Sequence, residues 1–74
     1  MKEIAPKIVI DRNIRFGKPV IKGTRVPVDL IVGKIAAGMA VEEVCAEYDL
    51  TKAEVKAALN YAAELVSKEN LIYV

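Results

Sequence analysis

Short apolar runs separated by glycine and proline occupy the first third of the chain, and they predict β-structure. The run IVI at residues 8–10 is β-branched throughout, as in a short strand. Ile14 and Phe16 then alternate with polar residues, which is the period of a half-buried strand. We therefore expect the N-terminal part of the chain to form a small β-arm.

The segment GKPVIKGTRVPV, residues 17–28, raises the question of whether it binds a phosphate or only shapes the backbone. A phosphate-binding P-loop needs a glycine, four further residues, and then Gly-Lys-Ser/Thr. In this chain Arg12 stands at the first of those positions and Pro19 at the last. A nucleotide site is therefore not expected.

Glycine and proline in the same segment predict a hairpin or a folded β-arm instead. Gly17 and Gly23 supply positions where the chain can turn with positive φ. Pro19 and Pro27 each remove a backbone donor, so the strands should be short and lie at a sheet edge.

From residue 28 onward the apolar positions recur every three or four residues, which predicts three helices. The first should span about residues 28–37, between Pro27 and a left-handed cap at Gly38. Gly33 inside this helix costs up to about 1 kcal/mol relative to alanine. We expect Gly33 to mark a close approach by another backbone.

The second helix is expected at residues 41–48 and the third at about residues 52–67. Ala40 offers no side-chain oxygen to the first free N–H groups of the second helix, so that helix should begin weakly. Thr51 and Glu54 have the spacing of a capping box, which places the start of the third helix.

The last two helices, joined by the turn at residues 49–51, have the lengths and spacing of a helix-turn-helix. In such a unit the N-terminal residues of the later helix lie at base edges in the major groove of DNA. The side chains that would face DNA here are Thr51, Lys52, Lys56 and Asn60. The alternative explanation is a solvated helix face in a small α-helical domain.

The composition is more apolar than an isolated domain of this size can easily bury. Hydrophobic residues make up 54% of the 74 residues, and the mean hydropathy is +0.29. We expect a homo-oligomer, with a dimer as the simplest form, or a constitutive partner.

The chain ends in four apolar residues, where polar residues are usual. This tail is expected either to add a strand to the β-arm or to bind a partner protein. The candidate partner-binding residues are Leu71, Ile72, Tyr73 and Val74.

The net charge of +1 conceals an uneven distribution along the chain. Residues 1–34 contain eight Lys or Arg and three acids, whereas residues 35–74 contain three Lys and seven acids. Two copies could pair their basic and acidic halves, or the basic half could face an anionic partner such as nucleic acid.

The residue types used in most catalysis are scarce. The chain has no His, Trp or Gln and a single Ser, and no Cys, Asp or Glu cluster stands at metal-ligand spacing. We therefore expect neither enzymatic activity nor a cofactor or metal. The lone Cys45 lies at an apolar helix position and is expected in the core.

No apolar run is long enough to cross a membrane, since residues 30–41 span only twelve positions and include Lys34 and two glycines. The N-terminal MKEIAPK lacks the apolar region and cleavage site of a signal peptide. One cysteine cannot form an internal disulfide. The expected location is a reducing cytoplasm.

The string at residues 8–65 resembles the prokaryotic family known as domain of unknown function 433. The likeness is carried by GKPVIxGTR at residues 17–25 and by the Pro-Val step after it. Further along it is carried by Gly38, by the pair Glu42-Glu43, and by Leu50-Thr51 leading to the Ala- and Leu-rich third helix.

The resemblance implies a winged or homeodomain-like helix-turn-helix behind a β-arm. It also implies a dimeric antitoxin of the VapB type, which binds operator DNA and neutralises a PIN-like ribonuclease toxin through a separate segment. In that case Lys18, Lys22 and Arg25 would add phosphate contacts.

Acidic side chains surround the helix that would cross the DNA backbone, and like charges oppose DNA binding. Either this acidic face points away from DNA, or the helices contact protein and the basic arm contacts nucleic acid. The acidic residues are Glu42, Glu43, Glu47 and Asp49.

Together these observations predict one domain of mostly α class. It comprises a β-arm at residues 1–27, a three-helix helix-turn-helix domain at residues 28–67, and an apolar tail at residues 68–74. Three functions remain open: an antitoxin, a stand-alone dimeric DNA-binding regulator, and a protein-interaction module without a nucleic-acid role.

Overall fold

The computed structural model describes residues 1–68, and the predicted partner-binding residues Leu71, Ile72, Tyr73 and Val74 lie outside that range. Three short strands precede three helices, which confirms the predicted mostly α fold with a small N-terminal β-arm. The strands are β1 (Lys2–Ala5), β2 (Ile8–Ile10) and β3 (Val20–Ile21), and the helices are α1 (Val28–Ala36), α2 (Val41–Tyr48) and α3 (Lys52–Ser67).

The strands form one antiparallel sheet in the order β1-β2-β3. Ile8 pairs with Ile21 across β2 and β3, and β3 lies at the sheet edge, as the prolines predict. Strand β1 was not predicted. A two-residue turn joins it to β2, with Pro6 followed by Lys7 at φ 66, the combination that a type II turn requires.

The strand predicted around Ile14 and Phe16 is wrong. Arg15, Phe16 and Gly17 have φ values of 50, 56 and 82, so they form one left-handed turn. Asp11 explains the difference, because its carbonyl accepts from the Ile14 N–H and its Oδ1 accepts from the Asn13 N–H. These local bonds close the chain into turns and compete with a sheet ladder.

Helix α1 ends one residue earlier than predicted, in a Schellman motif. Gly38 has φ 104 and donates to Ile35 O, and Met39 N donates to Lys34 O at 3.1 Å. The left-handed cap predicted at Gly38 is therefore confirmed. The close approach predicted at Gly33 is not present within the described residues, because a Cβ built there meets nothing within 4 Å.

Helices α2 and α3 have the predicted bounds, with a turn at residues 49–51 between them. The capping box of α3 is present, since Glu54 N donates to Thr51 Oγ1 and Thr51 N donates to Glu54 Oε1. At α2 the missing cap is partly replaced, because Ala40 N donates to Glu43 Oε1 at 2.9 Å. That contact is half of a capping box.

The core lies where the inner face of the sheet meets the three helices. Val55 and Ala58 of α3 are fully buried there, together with Ile31 of α1 and Val44 of α2. Cys45 is half-buried and packs against this cluster. The buried members of the cluster are Ile8, Ile21, Val28, Ile31, Val44, Leu50, Val55 and Ala58.

Candidate nucleic-acid interface

Helix α3 has one buried face and one open face. Val55 and Ala58 are buried in the core, and the opposite side presents Lys52, Lys56 and Asn60, all exposed. Residues three or four apart lie on the same face of a helix, so these three side chains form one row along the N-terminal half of α3. The structure therefore brings together three of the predicted DNA-facing residues.

Thr51 is exposed but its side chain already has a structural role. Its hydroxyl accepts from Glu54 N at 3.1 Å, as the N-cap of α3. A hydroxyl oxygen can accept a second hydrogen bond and its proton remains free to donate. Thr51 can therefore contact a phosphate without releasing the cap.

Lys52 at the start of α3 pairs with Glu42 in the first turn of α2, with Nζ to Oε1 at 3.3 Å. The Glu42 backbone N–H and the Lys52 ammonium together hold the pKa of the Glu42 carboxyl below its usual value. Lys56 lies beside the same pair, in a shallow depression between the two helices. One acidic residue of α2 therefore borders the row of exposed α3 side chains.

Within residues 1–68, the other acidic residues expected to oppose DNA binding form no ion pair with Lys52 or Lys56. The Glu43 carboxylate turns back to the N-terminus of α2, where it accepts from Ala40 N. Asp49 adopts a left-handed conformation at φ 55 just after α2, and Glu47 is exposed on α2. Of the acids in α2, Glu42 is the one shown in contact with a lysine of α3.

The β1–β2 turn lies beside the open face of α3, a relationship that the sequence does not indicate. A cleft between the turn and the helix is lined by Pro6 and Lys7 on one side and by Ala53 and Asn60 on the other. Lys7 is exposed. The signal in the sequence is Pro6-Lys7 between two apolar pairs, but only the fold places this turn next to α3.

The three basic residues predicted in the β-arm do not form one group. Lys22 lies near the β1–β2 turn, because its N–H donates to Lys7 O at 2.8 Å. Lys18 instead borders a groove between α1 and α3. Arg25 is exposed, and its carbonyl accepts from Arg15 Nε at 3.1 Å.

Two of these arm lysines are in surface ion pairs. Lys22 Nζ lies 3.1 Å from Glu3 Oε1, and Lys18 Nζ lies 2.9 Å from Asp29 Oδ2. The Glu3 pKa is lowered first by the hydrogen bond from the Lys7 N–H and then by Lys22. The Asp29 pKa is lowered mainly by the hydrogen bond from Lys18.

Within residues 1–68, no helix is long and apolar enough to cross a membrane. Over the same range, no group of three or more Cys, His, Asp or Glu side chains is placed to hold a metal ion.

The fold and the exposed row on α3 define a class of small domain in which three helices pack behind a three-stranded antiparallel sheet. The chain belongs to the family described as "Protein of unknown function (DUF433)", which it matches over residues 8–62. A comparison with curated proteins gave no match.

Among solved structures, the chain is similar to the crystal structure of Rv2018 from Mycobacterium tuberculosis. The two share 31% sequence identity with a TM-score of 0.65. The alignment covers 70% of this chain and 24% of Rv2018. The aligned part of this chain therefore corresponds to about a quarter of that protein.

Proposed function

We propose that this domain binds double-stranded DNA in the manner of a helix-turn-helix, with α3 as the recognition helix. The observation that carries the proposal is the exposed row of Lys52, Lys56 and Asn60 on the N-terminal half of α3. In helix-turn-helix proteins this part of the recognition helix contacts base edges, while the preceding helix crosses the backbone. Exposed Ala53 on the same side leaves room for close approach to a groove.

Each side chain in the row has a distinct role in this proposal. Asn60 carries both a donor and an acceptor, so it can read an adenine edge in the major groove. Lys52 and Lys56 supply positive charge to phosphates, which accounts for much of non-specific affinity. Lys7, across the cleft from Asn60, adds a phosphate contact from a β-turn, as in winged helices.

Surface ion pairs do not prevent the lysines from binding phosphate. The pairs of Lys18, Lys22 and Lys52 with carboxylates join exposed side chains at 2.9 to 3.3 Å. Such pairs contribute about 0–1 kcal/mol. A DNA phosphate can therefore replace the carboxylate at little cost, and Lys22 and Lys52 remain candidate contacts.

The test is fluorescence anisotropy of the full chain with a labelled duplex from upstream of its own coding region. Lys56→Ala should weaken binding and lower the salt slope of log K by about 0.9, the value expected when one phosphate fewer is neutralised. Lys68→Ala is the matched control, since Lys68 lies at the far end of α3, about 18 Å along the helix axis from Lys56. Equal effects of the two variants, or no binding at low salt, would reject this docking.

We further propose that the domain acts in the cytoplasm as an antitoxin for a neighbour-encoded ribonuclease of the PIN-like class. The support is the family resemblance and the fully exposed Phe16, at 100% relative exposure. An aromatic side chain in this position is available to a protein partner. The alternative, an interaction module without DNA, would be favoured by partner capture together with an absence of any DNA binding.

Co-expression with the product of the adjacent gene tests the antitoxin proposal. Tagged wild-type chain should capture that protein and suppress its ribonuclease activity, and Phe16→Ser should weaken capture. Ile4→Thr is the control, because it changes another exposed apolar residue and keeps a β-branched side chain on β1. Failure of the wild-type chain to capture the adjacent product would contradict the proposal.

A further inference from the structure

A groove between α1 and α3 is a largely apolar open surface of the described residues. Its floor and walls include Val32 and Gly33 of α1 and Tyr61, Leu65 and Val66 of α3. Leu65 is 49% exposed and Val66 is 67% exposed. Contiguous exposed apolar side chains make this groove a candidate surface for contact with another macromolecule.

Gly33 gives the groove a notch that residues 1–68 do not fill. A Cβ at Gly33 would meet no atom within 4 Å, so no contact within the described residues requires glycine here. A mid-helix glycine nevertheless lowers helix stability relative to alanine. A second molecule that packs closely against the α1 backbone would explain why a helix-destabilising glycine stands at this position.

We propose that this groove is the surface by which two copies of the chain associate. Two features lie together on one face: the notch at Gly33 and the protruding side chains Leu65 and Val66. In a two-fold pair the same patch meets itself, so the patch must be self-complementary. The protruding side chains of each copy can then lie over the notch of the other.

The charges at the groove also favour a second copy. Its floor carries no charged side chain, and its rim carries one cation and one anion, Lys18 and Asp29, which pair at 2.9 Å. Two copies related by a two-fold axis therefore bring together rims that are each neutral, with no excess of like charge. A strongly basic or acidic partner would find no complementary field here.

The groove and the exposed row on α3 occupy different parts of that helix. Leu65 and Val66 lie near its C-terminal end, whereas Lys52 and Lys56 lie in its first turns. Association through the groove leaves the exposed row of each copy open. The inference does not depend on DNA binding, because its measurement needs no nucleic acid.

Sedimentation velocity of the full chain over a range of concentrations tests the proposal. The wild-type chain should form dimers, and Val66→Lys should weaken the dimer about tenfold or more, since a buried unpaired ammonium is costly. Ala63→Lys is the matched control, because it adds the same charge at an exposed position of α3 outside the groove. Equal effects of the two variants, or a monomeric wild-type chain, would overturn the proposal.

Gly33→Leu gives a second measurement that separates association from folding. A Cβ at Gly33 meets no atom of the described residues within 4 Å, and leucine favours helix more than glycine does. Circular dichroism should therefore show an intact fold, while the dimer weakens. An unchanged or tighter dimer would overturn the role of Gly33.

A chain that ends at residue 68 tests whether residues 69–74, and not a second copy, cover the groove. If the proposal is correct, this truncated chain dimerises as the full chain does. If the full chain is monomeric and the truncated chain dimerises, residues 69–74 cover the groove and the proposal is wrong.

Discussion

The Lys52 ammonium lies 3.3 Å from the Glu42 carboxylate, so an ion pair links the first turn of α3 to the first turn of α2. Glu42 is therefore an acid in direct contact with one of the proposed DNA contacts, Lys52. Glu42→Gln should tighten DNA binding, because it removes a negative charge and releases Lys52 to phosphate. Anisotropy at two salt concentrations measures the change. Glu47→Gln is the control, and an equal gain from both variants would point to net charge alone.

Thr51 caps α3 through its hydroxyl, which accepts from Glu54 N. Thr51→Ala should lower the free energy of unfolding by about 1 kcal/mol, within the range of 0.5–2 kcal/mol for lost N-caps. Urea denaturation followed by circular dichroism measures this change. Ser67→Ala at the other end of the helix should have little effect, and a loss as large as that of Thr51→Ala would contradict the assignment.

Phe16 has a left-handed backbone at φ 56 and a fully exposed side chain. A residue with a Cβ is disfavoured there by roughly 1–2 kcal/mol, whereas glycine is not. Phe16→Gly should therefore unfold at higher urea concentration than Phe16→Ala, which keeps the Cβ and loses only the exposed ring. Equal midpoints for the two variants would show that the turn is not strained.

The Lys18 side chain donates to Asp29 Oδ2 at 2.9 Å and lowers the pKa of that carboxyl from its ordinary value of 3.8. Because the folded-state pKa is depressed, the pair stabilises the fold above that ordinary value. This stability is lost as the pH falls through the folded-state pKa.

Carbon-detected NMR titration of the Asp29 carboxyl measures this effect. Lys18→Ala should raise the Asp29 pKa toward its ordinary value, whereas Lys34→Ala should leave it depressed. The contribution to stability is small, because both side chains are mostly exposed. A pKa that does not respond to Lys18→Ala would exclude this ion pair in solution.

The helices could be predicted well because their signals are local. Thr51 and Glu54 form the capping box that their spacing indicates, and Gly38 adopts the positive φ that ends α1. Each of these features depends on residues within one turn of a helix, so neighbouring sequence determines it.

The β-arm was harder to predict, because local turns replace one expected strand and because its strand contacts join distant residues. The alternation of Ile14 and Phe16 indicated a strand, but hydrogen bonds to Asp11 close the chain into turns instead. Strand β1 has no apolar run of its own and depends on pairing with β2. Lys7 joins the candidate site only through the packing of the β1–β2 turn beside α3.

At Gly33 the sequence could not show which molecule packs against the helix. Its position in α1 indicated close packing, yet the described part of the chain supplies no neighbour. A single sequence shows that a glycine is present but not which molecule approaches it. The sedimentation experiment with Gly33→Leu is designed to supply that information.

One side of helix α3 packs in the hydrophobic core, and the opposite side exposes Lys56 and Asn60 to solvent. Inserting one residue after Val55 would rotate everything beyond it by about 100°. Ala58 would then leave the interior, and Asn60 would turn out of the row. The spacing between Thr51 and Tyr61 should therefore be fixed during evolution, even where the individual side chains vary.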